Sequence, residues 1–190
     1  MSGPVLVTGA SGYIGAYTAA ALLERGHEIR ATVSGEHRIP DVRNALGGLV
    51  DGGSDVEVVV ANLEDPDAWS AAAAGCSDIV HLASPVPVEQ PKDANELIRP
   101  ARDGALRVLA AGREAGVRRV VMTSSVAAIS GSRSDAPSRT STEDDWTDLD
   151  APDVSAYSQS KTIAERAARD DVAANGSPEY ATVNPGLVVG

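Results

Sequence analysis

The chain has 190 residues and a formal net charge of -11, with one cysteine and no phenylalanine. A chain of this length folds by default as a single domain, here residues 1–190. Nucleic acid and anionic membrane surfaces repel so acidic a chain, which argues against both as partners. A single cysteine allows no disulfide within the chain and no CxxC metal pair, so we expect no metal site and a reducing compartment.

The N-terminal residues carry no basic cluster, and the apolar run that follows them is short. No apolar segment approaches the roughly 18 residues that a membrane span requires. We therefore expect no signal peptide, no membrane partner and a cytoplasmic location.

Short apolar segments alternate along the chain with alanine-rich segments. Most of the apolar runs are continuous, which is typical of parallel strands that are covered on both faces. The predicted strands are residues 4–8, 28–33, 56–61, 79–82, 118–123 and 180–184. The predicted helices are residues 13–25, 69–74, 95–115 and 155–175. This alternation predicts an α/β fold with a doubly wound parallel sheet of the Rossmann type.

Two segments rich in turn-forming residues are predicted as long loops. Residues 35–55 contain one proline and five glycines, with a short helix expected near residues 42–46. Residues 131–152 are rich in serine, aspartate and threonine and contain two prolines. The alternation of strands and helices resumes after each segment, so neither is interpreted as a domain linker.

A glycine-rich segment joins the first predicted strand to the first predicted helix. A side chain at such a turn would block the approach of a pyrophosphate, and the N–H groups at the start of the helix attract phosphate. The last glycine would allow the helix to pack closely on the sheet. An ordinary strand-to-helix turn is the alternative, but the position of the segment favours dinucleotide binding. The segment reads Thr8-Gly9-Ala10-Ser11-Gly12-Tyr13-Ile14-Gly15.

Tyr157 and Lys161 are four residues apart in the last predicted helix, so their side chains share one face. A phenol in water has a pKa of about 10, and a neighbouring ammonium favours its ionised form. Such a pair can protonate a carbonyl oxygen while the carbon receives a hydride. The pattern is short, and by itself it fits a tyrosine and a lysine on the surface of an amphipathic helix better than it fits a catalytic pair.

Three hydroxyl residues, Thr123, Ser124 and Ser125, end the fifth predicted strand. Ligands of doubly wound sheets bind outside the carboxyl ends of the strands. A hydroxyl at this point can donate a hydrogen bond to the reacting oxygen. The glycine turn, the strand-end serine and the Tyr157–Lys161 pair, in this order, together favour a catalytic interpretation of all three.

These segments resemble the extended short-chain dehydrogenases, in particular the branch of dihydroflavonol, cinnamoyl-CoA and aldehyde reductases. The resemblance extends over all 190 residues. The matching segments are VTGASGYIG at 7–15, RATV at 30–33, VHLASP at 80–85, VVMTSSVAA at 120–128, YSQSK at 157–161 and NPGLV at 184–188.

The resemblance implies an NAD(P)H-dependent reductase that converts an aldehyde or ketone to an alcohol. Tyr157 would donate the proton, Lys161 would favour the phenolate and hold the nicotinamide ribose, and Ser125 would bind the substrate carbonyl. The cofactor would be held by residues from most of the matching segments. By resemblance these are Gly9, Ser11, Gly12, Tyr13, Ile14, Gly15, Asn62, Leu63, Ala83, Ser84, Pro85, Thr123, Tyr157, Lys161, Pro185 and Val188.

The choice between NADP and NAD depends on the end of the second predicted strand. Relatives often carry an arginine there that holds the NADP 2′-phosphate, whereas this chain has Ser34. An NAD-selective site would have an acidic residue at this position, and the nearest one is Glu36. We expect Ser34 and Arg38 to contact the cofactor and NADP to be preferred to NAD, although Arg38 equally fits a solvated loop.

Two other functions stay open. A nucleotide-sugar epimerase or dehydratase would hold NAD tightly and would favour an acid after the second strand. A non-catalytic dinucleotide sensor would not require the Tyr157–Lys161 pair. The resemblance also implies a substrate-binding domain after Gly190, and a homodimer through the helices predicted at residues 95–115 and 155–175, with a monomer as the alternative.

Overall fold

The computed structural model describes residues 3–85, 91, 93–131 and 140–189, which form a doubly wound α/β fold. Six parallel strands make one sheet in the order β3-β2-β1-β4-β5-β6. The chain reverses its direction of winding between β1 and β4, which creates the crevice where such folds bind ligands. The predicted fold class is therefore confirmed. The strands are β1 (Val5–Thr8), β2 (Ile29–Val33), β3 (Glu57–Val60), β4 (Asp78–His81), β5 (Arg119–Thr123) and β6 (Glu179–Val183).

Helices connect the strands and cover both faces of the sheet. The predicted strands, and the helices predicted at residues 13–25, 69–74, 95–115 and 155–175, differ from the observed elements by at most one residue at each end. The helices are α1 (Tyr13–Glu24), α2 (Ile39–Leu49), α3 (Ala68–Ala73), α4 (Asn95–Ala115), α5 (Ala127–Ser130) and α6 (Ala156–Asn175).

The prediction of a long loop over residues 35–55 is only partly correct, because the short helix expected near residues 42–46 is present but longer. Helix α2 occupies Ile39–Leu49, and short 3-10 turns cover Glu36–Arg38 and Gly53–Asp55. Two glycines lower the helix propensity of this segment, but Val42 and Leu46 are completely buried against the sheet, and this packing outweighs the propensity. The short helix α5 was not predicted.

The prediction of a loop over residues 131–152 falls partly on residues 132–139, which lie outside the described residues. The described part, residues 140–152, contains no helix or strand, as expected. Thr147 fixes its position: the Thr147 hydroxyl accepts from Gly131 N at 2.6 Å and donates to Ala127 O at 2.8 Å. The loop is therefore tied to α5, next to the end of β5.

The hydrophobic core has one layer on each face of the sheet, because alternate strand residues point in opposite directions. Leu6 packs with Trp69 and Leu109 on the face covered by α3 and α4. The neighbouring residue Val7 packs with Val42 and others on the face covered by α1 and α2. Apolar side chains are therefore required at successive strand positions, which explains the continuous runs in the sequence.

Strand β6 forms one edge of the sheet in the described part of the chain, and its alternate residues are exposed. None of the described helices combines the length and the apolar character needed to cross a membrane. The described residues also include no group of three or more histidine, cysteine or acidic side chains with the arrangement of a metal site.

Candidate dinucleotide and catalytic site

A cleft of about 970 Å³ opens along the carboxyl edge of the sheet. Residues at the ends of five strands line it: Gly9 after β1, Ser34 after β2, Asn62 after β3, Leu82 after β4, and Thr123 at the end of β5. The cleft crosses the point between β1 and β4 where the winding reverses. Its size and position are those of a ligand site in a doubly wound sheet.

Most of the residues predicted to hold a cofactor line this one cleft. Tyr157, Lys161 and Pro185 are the exceptions, and Ser125 also lies outside the lining. The predicted residues that do line it are Gly9, Ser11, Gly12, Tyr13, Ile14, Gly15, Ser34, Arg38, Asn62, Leu63, Ala83, Ser84, Pro85, Thr123 and Val188.

The glycines of the first turn meet two different needs. Gly9 has a φ of 67°, and a Cβ on it would lie 2.9 Å from Ala83 N. A Cβ on Gly15 would lie 2.2 Å from Gly9 O, so the fold itself requires glycine at both positions. A Cβ on Gly12 would meet only Gly9 O, at the ordinary contact distance of 3.4 Å. The protein therefore has room for a side chain at Gly12, on the wall of the cleft.

Helix α1 begins directly at this wall. Its N-cap residue is Gly12, and no side chain caps the helix. The N–H groups of the first turn are therefore available to an external acceptor, and their partial positive charge attracts an anion.

Thr8 fixes the segment that follows β4. Its Oγ1 accepts from the backbone N–H groups of Leu82 and Ala83, both at 3.0 Å, and lies 2.8 Å from His81 Nδ1. Because both acceptor sites of the hydroxyl are occupied, its proton goes to Nδ1, and His81 carries its own proton on Nε2. Burial, together with a smaller effect of the charge of Lys161, lowers the pKa of His81 to about 3. The wall formed by Ala83 is thus held by a neutral, buried network.

The segment that follows β2 contributes a basic residue, and no acidic residue, to the lining of the cleft. Ser34 and Arg38 both line the cleft, and Glu36 does not. The Arg38 side chain is partly exposed, and its Nε donates to Asp41 Oδ2 at 3.3 Å. This arrangement leaves the remaining guanidinium nitrogens of Arg38 outside the ion pair.

The three hydroxyl residues at the end of β5 are buried or half-buried. Ser125 Oγ accepts from Ala127 N at 3.1 Å, which orients its side chain at the start of α5. Ser124 Oγ is buried and has no hydrogen-bond partner among the described residues. The backbone of this segment is bonded to β6 and the residues after it, through Ser124 N to Val183 O at 2.8 Å and Val126 N to Pro185 O at 3.0 Å.

Tyr157 and Lys161 lie in the first turns of α6. Ser155 is the N-cap residue of this helix, and its Oγ accepts from Ser158 N at 3.0 Å. Lys161 Nζ lies 5.8 Å from the centroid of the Tyr157 ring, so the two side chains share one face as predicted. Burial lowers the pKa of Lys161 to about 8, although the charge of Glu165 opposes this shift.

The family model described as the NAD dependent epimerase/dehydratase family matches residues 5–190. The chain belongs to this family. Membership in this family of extended short-chain dehydrogenases confirms the resemblance inferred from the sequence.

Several relatives of this chain are named reductases. The chain is 32% identical to dihydroflavonol 4-reductase of Hordeum vulgare over 99% of its length, and 36% identical to cinnamoyl-CoA reductase 1 of Arabidopsis thaliana over 98%. It covers 54% and 53% of these two proteins, so it spans about half the length of the curated relatives it matches.

A solved structure with a similar fold is Gre2 of Candida albicans in complex with NADPH. Its TM-score is 0.82 at 28% identity, and the match covers 98% of this chain and 58% of Gre2. The similarity extends over the whole sheet and both helical layers of this family member.

Sequence reasoning missed part of the cleft lining of this family member. Thr32 and Val33 end β2 just before Ser34, and Ala61 precedes Asn62. These three residues could have been predicted from their position next to a predicted site residue. Glu96 and Pro100 lie on α4, far from any motif, and only the packing of that helix brings them to the cleft. The missed residues are Thr32, Val33, Ala61, Glu64, Leu82, Glu96 and Pro100.

Proposed function

We propose that this chain is the cofactor-binding and catalytic part of an NADPH-dependent reductase that converts an aldehyde or ketone to an alcohol. The observation that carries the proposal is the pairing of the Tyr157 ring with Lys161 Nζ at 5.8 Å. Their helix packs on α5, which follows the strand-end Ser125. Thr123, two residues before Ser125, lines the cleft, so we expect the proton donor, the buried amine and the hydroxyl to lie beside it.

The cleft fits a dinucleotide on its own geometry. Gly12 leaves open space at the wall, and the uncapped start of α1 suits a pyrophosphate. Ser34 and Arg38 suit a 2′-phosphate, and the absence of an acid directly after β2 supports NADP rather than NAD. The NADPH complex of Candida albicans Gre2, at 28% identity, supports the same choice.

When bound, a reduced nicotinamide supplies the hydride for the carbonyl carbon. The Ser125 hydroxyl donates a hydrogen bond to the carbonyl oxygen and orients it. The Tyr157 O–H gives its proton to that oxygen as the C–O double bond becomes a single bond. The Lys161 ammonium stabilises the resulting phenolate, which takes a proton from solvent before the next turnover. The carbonyl compound thus gains one hydride and one proton and becomes the alcohol.

The cofactor assignment has its own test. Arg38→Ala removes a positive charge from the end of β2 without touching the catalytic residues. We expect the KM for NADPH to rise by about tenfold, as for the loss of one charge-assisted contact, and the KM for NADH to change little. An equal effect on both cofactors would argue against Arg38 as a phosphate-binding residue.

The reaction is tested by following the loss of nicotinamide absorbance across aldehydes and ketones, with NADPH and NADH in separate reactions. Tyr157→Phe should reduce turnover by about 100-fold or more while the affinity for NADPH stays the same. Normal turnover of Tyr157→Phe in the intact protein would contradict the proposed proton transfer.

A second candidate is an epimerase or dehydratase of nucleotide sugars, which the description of the matching family model names. Such an enzyme would retain NAD through purification and convert a nucleotide sugar without net oxidation of the cofactor. Finding both would replace the reductase proposal. Binding of NADPH without turnover of any carbonyl would favour a dinucleotide sensor.

The proposed reductase acts on a small molecule in the cytoplasm. The single cysteine, Cys76, is a buried free thiol, which supports a reducing compartment. By resemblance to the family we propose a homodimer that uses α4 and α6. Light scattering on the purified protein measures its mass and checks this assembly.

A further inference from the structure

Helix α6 carries a buried carboxylate one turn beyond Lys161. Glu165 is 1% exposed, and its two oxygens have different partners. Oε1 accepts from Arg169 Nη2 at 2.8 Å, Arg169 Nε at 3.1 Å and the Thr182 hydroxyl at 3.2 Å. Oε2 accepts from Asn184 Nδ2 at 2.9 Å. A buried charge is costly unless it is paired and hydrogen-bonded, so these contacts fix the carboxylate in one place.

The same amide nitrogen of Asn184 reaches the strand-end serine. Asn184 Nδ2 donates to the Ser125 backbone oxygen at 3.1 Å as well as to Glu165 Oε2. The two N–H bonds of one amide group therefore join a carboxylate on α6 to the backbone of Ser125. A planar amide with both protons engaged allows little relative movement of its two acceptors.

We propose that Glu165 is a positioning residue that holds Ser125 in register with Tyr157 and Lys161, acting through Asn184. The inference deepens the proposed reductase function and rests on it for the role of Ser125. Tyr157, Lys161 and Glu165 follow one another on a single helix, whereas Ser125 lies at the end of a strand. The amide of Asn184 is a direct link between these two halves of the site.

Other contacts of Glu165 stabilise it without touching Ser125, which provides a matched control. The Thr182 hydroxyl contacts Oε1, on the opposite side from Asn184. Thr182→Val removes that contact and leaves the path through Oε2 intact. Thr182→Val should therefore lower the stability of the protein without affecting the contact from Glu165 through Asn184 to Ser125. Only changes at Glu165 or Asn184 should break that contact.

Glu165→Gln breaks the link with little change of shape. The Arg169 and Thr182 donors favour the amide oxygen at the Oε1 position, so the new N–H₂ group faces the Asn184 N–H₂ group, and two donors oppose each other. Asn184→Ala removes the link from its other end and leaves Glu165 with its Oε1 partners. It serves as a second variant if Glu165→Gln does not fold.

The first measurement is amide hydrogen exchange of residues 124–128, which needs no enzymatic activity. We expect exchange there to become about tenfold faster in Glu165→Gln and Asn184→Ala, and unchanged in Thr182→Val. The second measurement is steady-state kinetics of the intact protein. We expect kcat to fall by about 10- to 100-fold in the first two variants, with the KM for NADPH unchanged, because misplacing a reacting group affects the chemical step.

The outcomes separate the link from the reductase function. Unchanged exchange in Glu165→Gln and Asn184→Ala overturns the link, and an equal response of Thr182→Val overturns it as well. An exchange response with normal kcat overturns the positioning role. If exchange responds as expected while the wild-type protein reduces no carbonyl, the structural link stands and the proposed function fails.

Discussion

The Thr8 hydroxyl donates a 2.8 Å hydrogen bond to His81 Nδ1 and also accepts two backbone N–H groups from the segment after β4. Thr8 ends β1, and His81 ends β4, so one side chain joins the two strands between which the winding of the sheet reverses. The cleft opens at this place. The shape of its wall therefore depends on a hydroxyl that lines no part of the cleft itself.

Thr8→Val keeps the shape of the side chain and removes the hydroxyl. It leaves two backbone N–H groups and one ring nitrogen without their partner in a buried region. We expect the free energy of unfolding to fall by about 3 kcal/mol, measured by urea denaturation. Thr8→Ser keeps the hydroxyl, and we expect it to cost about 1 kcal/mol. Equal losses in the two variants would show that the methyl group, and not the hydroxyl, stabilises the wall.

His81 should make the protein sensitive to acid. Its folded pKa of about 3 is below the usual 6.5, so the unfolded chain takes up a proton before the folded chain does. Stability is therefore full above the unfolded pKa and is lost as the pH falls from about 6.5 towards 3.

The test compares the wild-type protein with His81→Asn, whose side-chain oxygen can still accept from Thr8. Asparagine takes up no proton in the unfolded chain. Between neutral pH and about pH 4, the wild-type protein should lose on the order of 3 kcal/mol more than the variant. Parallel stability curves for the two proteins over this range would contradict the shifted pKa.

Gly12 and Gly15 should respond differently to the same substitution. Gly15→Ala would bring a methyl group within 2.2 Å of Gly9 O, so we expect a loss of stability of about 2 kcal/mol or more. Gly12→Ala meets no close contact within the protein, and its backbone already has a negative φ. We expect the thermal unfolding of Gly12→Ala to match that of the wild-type protein.

The substitution Gly12→Ala, which should leave stability unchanged, should instead weaken the binding of NADPH. A methyl group at Gly12 occupies space on the wall of the cleft, and we expect it to raise the Kd for NADPH by about tenfold or more. Fluorescence titration measures this change in folded protein. Wild-type affinity in Gly12→Ala would show that the dinucleotide does not approach the turn as proposed.

The strands and most of the cleft could be predicted from the sequence because each has a local signal. Strands buried on both faces need apolar residues at every position, and their carboxyl ends meet at one edge whatever the helices do. The resemblance to the reductase family identified Ser34, Asn62 and Ala83 as cofactor-binding residues, although they are far apart in the chain. Helix α2 was expected only as a short helix near residues 42–46, because Gly47 and Gly48 obscure a helix that depends on packing of Val42 and Leu46.

The Glu165 network could not be predicted in the same way. A glutamate among the alanines and arginines of a helix has the appearance of a solvated surface position. Its burial results from the packing of α6 beside β6, which brings Thr182 and Asn184 to the carboxylate. The bond between Thr8 and His81 was hidden for the same reason: each residue ends a strand, and only the parallel register of β1 and β4 makes them partners.

Lys161 should lower the stability of the protein at neutral pH. Its folded pKa of about 8 is below the usual 10.5, so folding buries a charge below about pH 8. This cost is full below the folded pKa and disappears as the pH rises towards the unfolded value. Lys161→Met has a similar length and no charge. We expect it to raise the free energy of unfolding at neutral pH by on the order of 3 kcal/mol, with the difference from wild type shrinking towards pH 10.5.

The same substitution should remove the reductase activity, because the methionine cannot stabilise a phenolate at Tyr157. A gain in stability together with a loss of turnover is expected of a residue retained for function at a cost to folding. Chemical denaturation at neutral and alkaline pH, together with NADPH oxidation assays, measures both effects. A less stable Lys161→Met protein at neutral pH would mean that the amine has favourable contacts that outweigh its burial, and the ammonium would then be a structural group.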